Sequence, residues 1–366
     1  MTSAPETDRS SIITRLAARQ LNVPAEEVSV TTLTGDASSR SYLRAAALTS
    51  SSTVIAAVYR EAFDESELAI ARLARAEVSN PSARVTFAND PCAHIEVTAL
   101  FLKAGLPVPK VLAVSGADAM MLFEDVGDLR LQDWLSDGRS DSEVVEAYGR
   151  ALEFVVRIQD ATELALGADS ICSHLAFDEA KLRWELGFFF VNYFNRYLRF
   201  RLDPATSNAV QADFKALCSE LAARPRVLTH RDYHARNLMM HQGEMFIIDH
   251  QDARMGPVSY DLASLLSDPY TALPEEAIEE LIARFVAIKS SSKLPLGRVD
   301  AFRTELDLMT VQRMLKAIGT YSSQAASGNS TYVEYITPAL DRAIAAMKRL
   351  NRFQATCDLL ERTREV

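Results

Sequence analysis

Cysteine, long apolar runs and positive charge are all scarce in this chain, and each scarcity excludes something. The four cysteines, Cys92, Cys172, Cys218 and Cys357, are scattered, with no Cys-x-x-Cys pair and no Cys–His cluster at zinc spacing. That excludes a zinc module and a disulfide framework, and leaves free thiols in a reducing compartment as the expectation. No apolar stretch approaches the roughly 20 residues that cross a membrane, and Met1 to Ser10 lacks the apolar centre of a signal peptide. A cytoplasmic protein with no membrane partner is expected. Lys and Arg number 39 against 49 Asp and Glu, a net charge of −10, which argues against a nucleic-acid partner because phosphates need a basic surface. Nothing in the chain points to an obligatory protein partner. No repeat of fixed period and no low-complexity linker divides it.

What is present suits a soluble protein with ample core: 48 % hydrophobic and 24 % charged residues exclude the disordered and membrane classes. A length of 366 residues favours two packed lobes. Helical spacing covers 8–21, and Asn22-Val23-Pro24 stops it. Residues 28–33, 40–48 and 53–59 read as three strands of a small antiparallel sheet, joined by turns at 35–39 and 49–52. Residues 61–90 suggest an inserted helix and loop. A second helix over 92–104 ends at Gly105, with Pro107 and Pro109 barring its continuation. Residues 108–115 and 119–124 read as a further strand pair. After 128 the apolar spacing is helical over 141–160, 178–200, 205–223, 258–268, 274–289, 298–325 and 331–350. The expected fold class is α+β: a sheet-based N-lobe over 1–125 and a mostly helical C-lobe over 126–366.

The most informative stretch is His230-Arg231-Asp232-Tyr233-His234-Ala235-Arg236-Asn237, followed by Ile247-Ile248-Asp249-His250-Gln251-Asp252. The order H-R-D, four residues, Asn, then two aliphatics and Asp is the layout a kinase-like fold uses for phosphoryl transfer. The chemistry explains the residue types. An attacking hydroxyl must lose its proton, so a carboxylate is needed beside it, and Asp232 is that candidate. Phosphate charge is offset by Mg²⁺ held on hard oxygen ligands, which Asn237 and Asp249 offer. A short apolar strand over 245–248 delivers Asp249. His230 is read as a brace for the loop, and Asp261 as a helix cap against it. His234 and His250 each have two open readings, contact with substrate or a hydrogen bond to a neighbouring carbonyl.

These segments, with the loop Gly35-Asp36-Ala37-Ser38-Ser39-Arg40-Ser41-Tyr42, resemble the aminoglycoside phosphotransferase superfamily. Within it, the 230–239 and 249–262 segments and Gln312-Arg313-Met314-Leu315-Lys316-Ala317-Ile318-Gly319 are similar to bacterial anomeric kinases of N-acetylmuramate and N-acetylglucosamine. The resemblance spans roughly residues 10–350 and implies a two-lobed protein-kinase-like fold. It also implies ATP as donor, with GTP open, Mg²⁺, and a small sugar as acceptor, phosphorylated at C1 in cell-wall sugar recycling. The loop Gly35, Asp36, Ala37, Ser38, Ser39 and Arg40 would cover the phosphates, though it holds a single Gly where such loops hold several. Glu124, Asp125 and Val126, at the crossing between lobes, would receive the base. Glu185, His234, Arg236, Gln251 and Asp252 are the expected acceptor contacts.

One departure stands out. Kinase-like enzymes place a Lys on the third strand, paired with a Glu on the next helix, yet no Lys precedes Lys103. Arg60 or Arg44 could supply that charge, with Glu96 as partner, although a planar guanidinium is not a simple exchange for an ammonium. Two rival readings remain. One is another small-molecule kinase of the superfamily, acting on a non-acetylated hexose, an amino alcohol or an aminoglycoside. The other is a nucleotide-binding regulator without turnover.

Overall fold

The computed structural model describes residues 6–33, 40–79 and 86–364. The proposed phosphate loop, Gly35, Asp36, Ala37, Ser38 and Ser39, lies outside the described residues. Its last member, Arg40, lies within them.

Helix α1 (Glu6–Leu21) leads into strands β1 (Val28–Thr32), β2 (Ser41–Ala47) and β3 (Thr53–Val58). Helices α2 (Ala69–Ser79) and α3 (Pro91–Lys103) follow, then β4 (Val111–Ser115) and β5 (Met120–Glu124). The five strands form one antiparallel sheet in the order β1-β2-β3-β5-β4. Because side chains alternate across a strand, each face has its own cover. Ile13 and Ala17 of α1 bury Ala45, Val54, Ala56 and Leu122, while Ala57, Met121 and Phe123 join the main core with Val97 and Phe101 of α3. Strand β4 starts at Val111, not at the expected residue 108, because Pro107 and Pro109 have no N–H for a ladder.

The remaining chain is mostly helical: α4 (Leu131–Leu135), α5 (Asp141–Asp160), α6 (Thr162–Gly167), α7 (Ile171–His174), α8 (Glu179–Phe190) and α9 (Pro204–Ala222) come first. Short strands β6 (Arg226–Thr229), β7 (Leu238–His241), β8 (Glu244–Ile247) and β9 (Arg254–Pro257) carry the central segments. Helices α10 (Tyr260–Leu266), α11 (Glu275–Ser290), α12 (Val299–Ala326), α13 (Ile336–Leu350) and α14 (Gln354–Thr363) close the chain. Ser140 caps α5 with a reciprocal capping box to Glu143. The single helix expected over 178–200 is instead α8 followed by a π-helix, Val191–Tyr197. The wider turn buries the neighbours Tyr193 and Phe194 together, which ordinary α spacing would point about 100° apart. All four cysteines are buried and free, and no helix among the described residues is long and apolar enough to cross a membrane.

Helix α12 packs against α8, α10 and α13. At its contact with α8 stands Gly319, where a Cβ would come within 2.7 Å of Phe189 Cα and 3.0 Å of Phe189 N. Backbone cannot give way as a side-chain tip can. Gly319→Ala is therefore expected to lower the unfolding free energy by about 1–3 kcal/mol. Gly187→Ala on α8, where a Cβ meets nothing within 4 Å, should be neutral or gain up to about 1 kcal/mol. Urea unfolding of both variants beside the parent measures the difference.

Candidate active site

The H-R-D segment leaves β6 and is held from below by α10. Asp261, in the first turn of α10, accepts from the backbone N–H of His230 (2.7 Å) and of Arg231 (3.1 Å). Arg231 there adopts a φ of +87°, a conformation costly for a side-chain-bearing residue unless its surroundings fix it. Asp261 supplies that fixation, and burial pushes its carboxyl up to about 7 against the two N–H donors. His230 braces the loop as expected, with Nε2 at 3.0 Å from the Ile248 carbonyl.

Beyond Asp232, residues 235–237 form one 3₁₀ turn. The Asn237 amide donates to the Asp232 carbonyl (2.8 Å), which leaves its amide oxygen available to a cation. The β7–β8 hairpin then returns the chain. Ile248 N–H donates to the Asn237 carbonyl (3.0 Å), so Asn237 is fixed beside the segment that carries Asp249. Asp249 itself has a φ of +62°, an αL conformation that Asp tolerates better than most residues, and its carboxylate remains 43 % exposed.

Asp232, His234, Arg236, Asn237 and Asp249 line one cavity of about 260 Å³, with Asp268, Tyr270, Arg313, Lys316, Tyr321 and Tyr332 on its far wall. Asp232 meets three cations: Lys316 Nζ at 3.0 Å, Arg313 Nη2 at 3.4 Å and Arg231 Nη1 at 3.5 Å. Burial alone would raise its carboxyl, but these charges, Lys316 foremost, hold it well below the ordinary carboxylate range. Burial pushes His234 down to about 3, so its imidazole is neutral at physiological pH. Arg236 lies over the rings of Tyr270 (4.8 Å) and Tyr332 (5.3 Å).

Several expected contacts are not brought to this cavity. Glu185 is buried behind α12, where it accepts from Gln312 Nε2 at 2.7 Å. Asp252 is buried and accepts from Thr86 Oγ1 (2.6 Å), Phe87 N–H (3.1 Å), Arg231 and Arg254. It ties the 86–87 segment to the catalytic loop and to β9, and does not face an acceptor. Gln251 donates to Asp249 Oδ1 (2.8 Å) and to the Ala88 carbonyl (2.9 Å), which orients Asp249 and turns Gln251 inward. His250 takes neither expected role: it is buried beside Phe101, and its Nε2 meets the Thr98 hydroxyl at 2.8 Å rather than a carbonyl.

On the donor side, Arg60 is exposed. Glu96 accepts from Ser170 Oγ (2.7 Å) and Ile171 N–H (2.6 Å) at the start of α7, so the expected Arg60–Glu96 pair does not form. The buried cation near the proposed metal ligands is Arg40, with Nη2 at 3.3 Å from Asp249 Oδ1 and Nη1 at 3.5 Å from His94 Nδ1 of α3. Arg44 grips the connection between sheet and helices, contacting Asp125 (2.6 Å) and Asp128 (2.7 Å). Asp125 Oδ1 also accepts from Gly127 N–H (2.9 Å), Glu124 pairs by backbone with Lys110 (2.9 Å), and Val126 is buried. Arg313 and Lys316 had no role assigned from sequence. Their signals in the sequence were two basic residues three apart on one helix and their place in the 312–319 segment that carries the resemblance to the anomeric kinases.

Asp232→Asn is expected to be less stable than the parent by about 1–3 kcal/mol at pH 7, because it removes the negative charge that balances the surrounding cations. The folded carboxyl is depressed, so its contribution is present above the unfolded value of about 3.9 and lost as pH falls toward the folded one. Chemical denaturation from pH 7 down to pH 3 should show the gap closing only below about pH 4.

Residues 29–289 match the phosphotransferase enzyme family. The chain is 32 % identical over 233 residues to an N-acetylmuramate/N-acetylglucosamine kinase of Pseudomonas aeruginosa, covering 62 % of this chain and 64 % of that protein. A kinase of the same name from Pseudomonas putida is 28 % identical over 229 residues, with the same coverage. The chain thus matches less than two thirds of the length of either relative. In fold it is similar to a choline kinase from Cryptosporidium parvum, with a TM-score of 0.58, 11 % identity and coverage of 98 % and 97 % of the two chains. The chain belongs to the phosphotransferase enzyme family and has its kinase-like fold.

Proposed function

We propose that this chain is an ATP- and Mg²⁺-dependent sugar kinase that phosphorylates the C1 hydroxyl of N-acetylmuramate, N-acetylglucosamine or both, within cell-wall sugar recycling. The observation that carries the reading is the convergence of Asp232, Asn237 and Asp249 on one cavity walled by α12. The names of the two bacterial relatives support the choice of sugar.

In this reading Asp232 receives the acceptor hydroxyl. Held ionised by its three cations, it is a weak base, and it acts more by orienting the hydroxyl than by removing its proton outright. A hemiacetal hydroxyl is more acidic than an ordinary alcohol, so a weak base suits it. The oxygen donors of Asn237 and Asp249 fit Mg²⁺, which when bound offsets phosphate charge and takes further oxygens from phosphates and water. Arg40 takes the place of the missing third-strand Lys, with His94 where a Glu would stand. GTP remains open as donor, and the connection at 124–126 receives the base. In the cavity wall Arg236, Arg313 and Lys316 offset Asp232, Asp249 and Asp268, so the wall lacks the excess of carboxylates that a polycationic acceptor such as an aminoglycoside would want. The use of ATP and four free buried thiols fit the cytoplasm.

The test is nucleotide consumption with Mg-ATP across N-acetylmuramate, N-acetylglucosamine, glucose, galactose, choline and kanamycin, with NMR of the product. Turnover confined to N-acetylated sugars, with phosphate on C1, is expected; turnover confined to another acceptor overturns the sugar assignment. Asp232→Ala should lose about 10²–10⁴-fold in kcat and still bind nucleotide in calorimetry. Arg40→Met should raise the KM for ATP by about tenfold or more through the loss of a charged phosphate contact, with the sugar KM little changed.

A further inference from the structure

Two cations reach Asp232 from α12, and they are not equivalent. Arg313 has other partners besides Asp232: it donates to Tyr260 Oη (2.6 Å) and Ser264 Oγ (3.0 Å), and its guanidinium lies 4.8 Å from the Tyr260 ring centre. Lys316, one turn further, has Asp232 Oδ1 at 3.0 Å as its hydrogen-bond partner among the described residues, and its side chain keeps 19 % of its surface exposed on the cavity wall. An ammonium carries three N–H donors. One is used on Asp232, and the others are available to whatever enters the cavity.

We propose that Lys316 is a second catalytic residue of the transfer, its ammonium bridging Asp232 and the oxygens of the phosphoryl group as that group passes to the acceptor. This rests on the cavity being the acceptor site of a phosphoryl transfer. In the step, the acceptor oxygen forms a bond to the γ-phosphorus, and the bond from that phosphorus to the β–γ bridging oxygen breaks. The electron pair leaves with the nucleoside diphosphate, and the acceptor proton, oriented by Asp232, is released to solvent as the new bond forms. Lys316 keeps all its protons and contributes charge on the acceptor side. The position is informative because the first hundred residues hold no Lys at all, and Arg40 stands on the opposite side of the site, against Asp249. A fixed charge aimed at a migrating phosphoryl group stabilises the transition state more than either bound substrate.

The experiment compares parent, Lys316→Met, Lys316→Arg and Lys316→Ala on whichever acceptor the parent turns over. Failure of the sugar assignment therefore appears in the parent's acceptor panel, and failure of this proposal appears in the ratios between variants. Lys316→Met should lose about 10²–10³-fold in kcat, with the KM for ATP changed less than about threefold. Lys316→Arg, which keeps the charge if the uncharged variants do not fold, should retain more activity than either, with a raised acceptor KM. Methylammonium added to Lys316→Ala should restore turnover saturably, by about tenfold or more, which a residue serving only to stabilise the fold would not show. A Lys316→Met enzyme within about threefold of the parent's kcat, or a folded Lys316→Ala enzyme indifferent to methylammonium, overturns the proposal.

Discussion

A carboxylate held among three cations organises the centre of this molecule. Asp232 comes from the loop after β6, Arg231 from the residue before it, and Arg313 and Lys316 from α12, some 80 positions later in the chain. Neither partner could be buried alone without a cost of several kcal/mol (of order 3–5 when one partner of a buried pair is lost). Loop and helix therefore fix each other. The arrangement closes the cavity on its helical side and sets the charge that an incoming group meets.

Around that centre, other acidic side chains receive backbone donors or clamp separate segments. Asp261 takes two N–H groups of the H-R-D turn, and Asp268 takes those of Ala235 and Tyr270. Asp252 gathers Arg231, Arg254, Thr86 and Phe87, so one carboxylate joins the catalytic loop, β9 and the segment before α3. Each spends its lone pairs on placing backbone, hydroxyl or guanidinium groups, and the carboxylate of Asp249 is left partly exposed beside Arg40.

The five strands of the sheet, β8, the longer helices except α14, and the line of Asp232, Asn237 and Asp249 were legible in the sequence because each rests on local spacing, whereas β6, β7 and β9, four residues each, are too short to show alternation. Alternation gives β2 and β3, and a fixed interval within one turn gives Asn237. What escaped depends on distance in three dimensions. Glu185 looks, on a helix rich in aromatics, like a sugar contact, and only the packing of α12 over α8 shows it satisfied by Gln312. Glu96 has the right spacing for a kinase ion pair, yet α7 supplies its partners. Gln251 and Asp252 stand two and three residues past Asp249, and the turn there sends both inward. The short α4, α6 and α7 and the π-helix over 191–197 carry too few turns for periodicity to declare them.

The absent side chain at Gly319 has a reach beyond its own contact. It lies three residues past Lys316 on the same rigid rod, and the backbone of Phe189 touches the place where a methyl group would grow. That contact sets how closely α12 can seat against α8. A rod displaced there would change the distance between Lys316 and Asp232, where a 3.0 Å hydrogen bond leaves little room before such bonds fail. The smallest residue in the helix thus works as a gauge block, machining the distance between two charges it never meets.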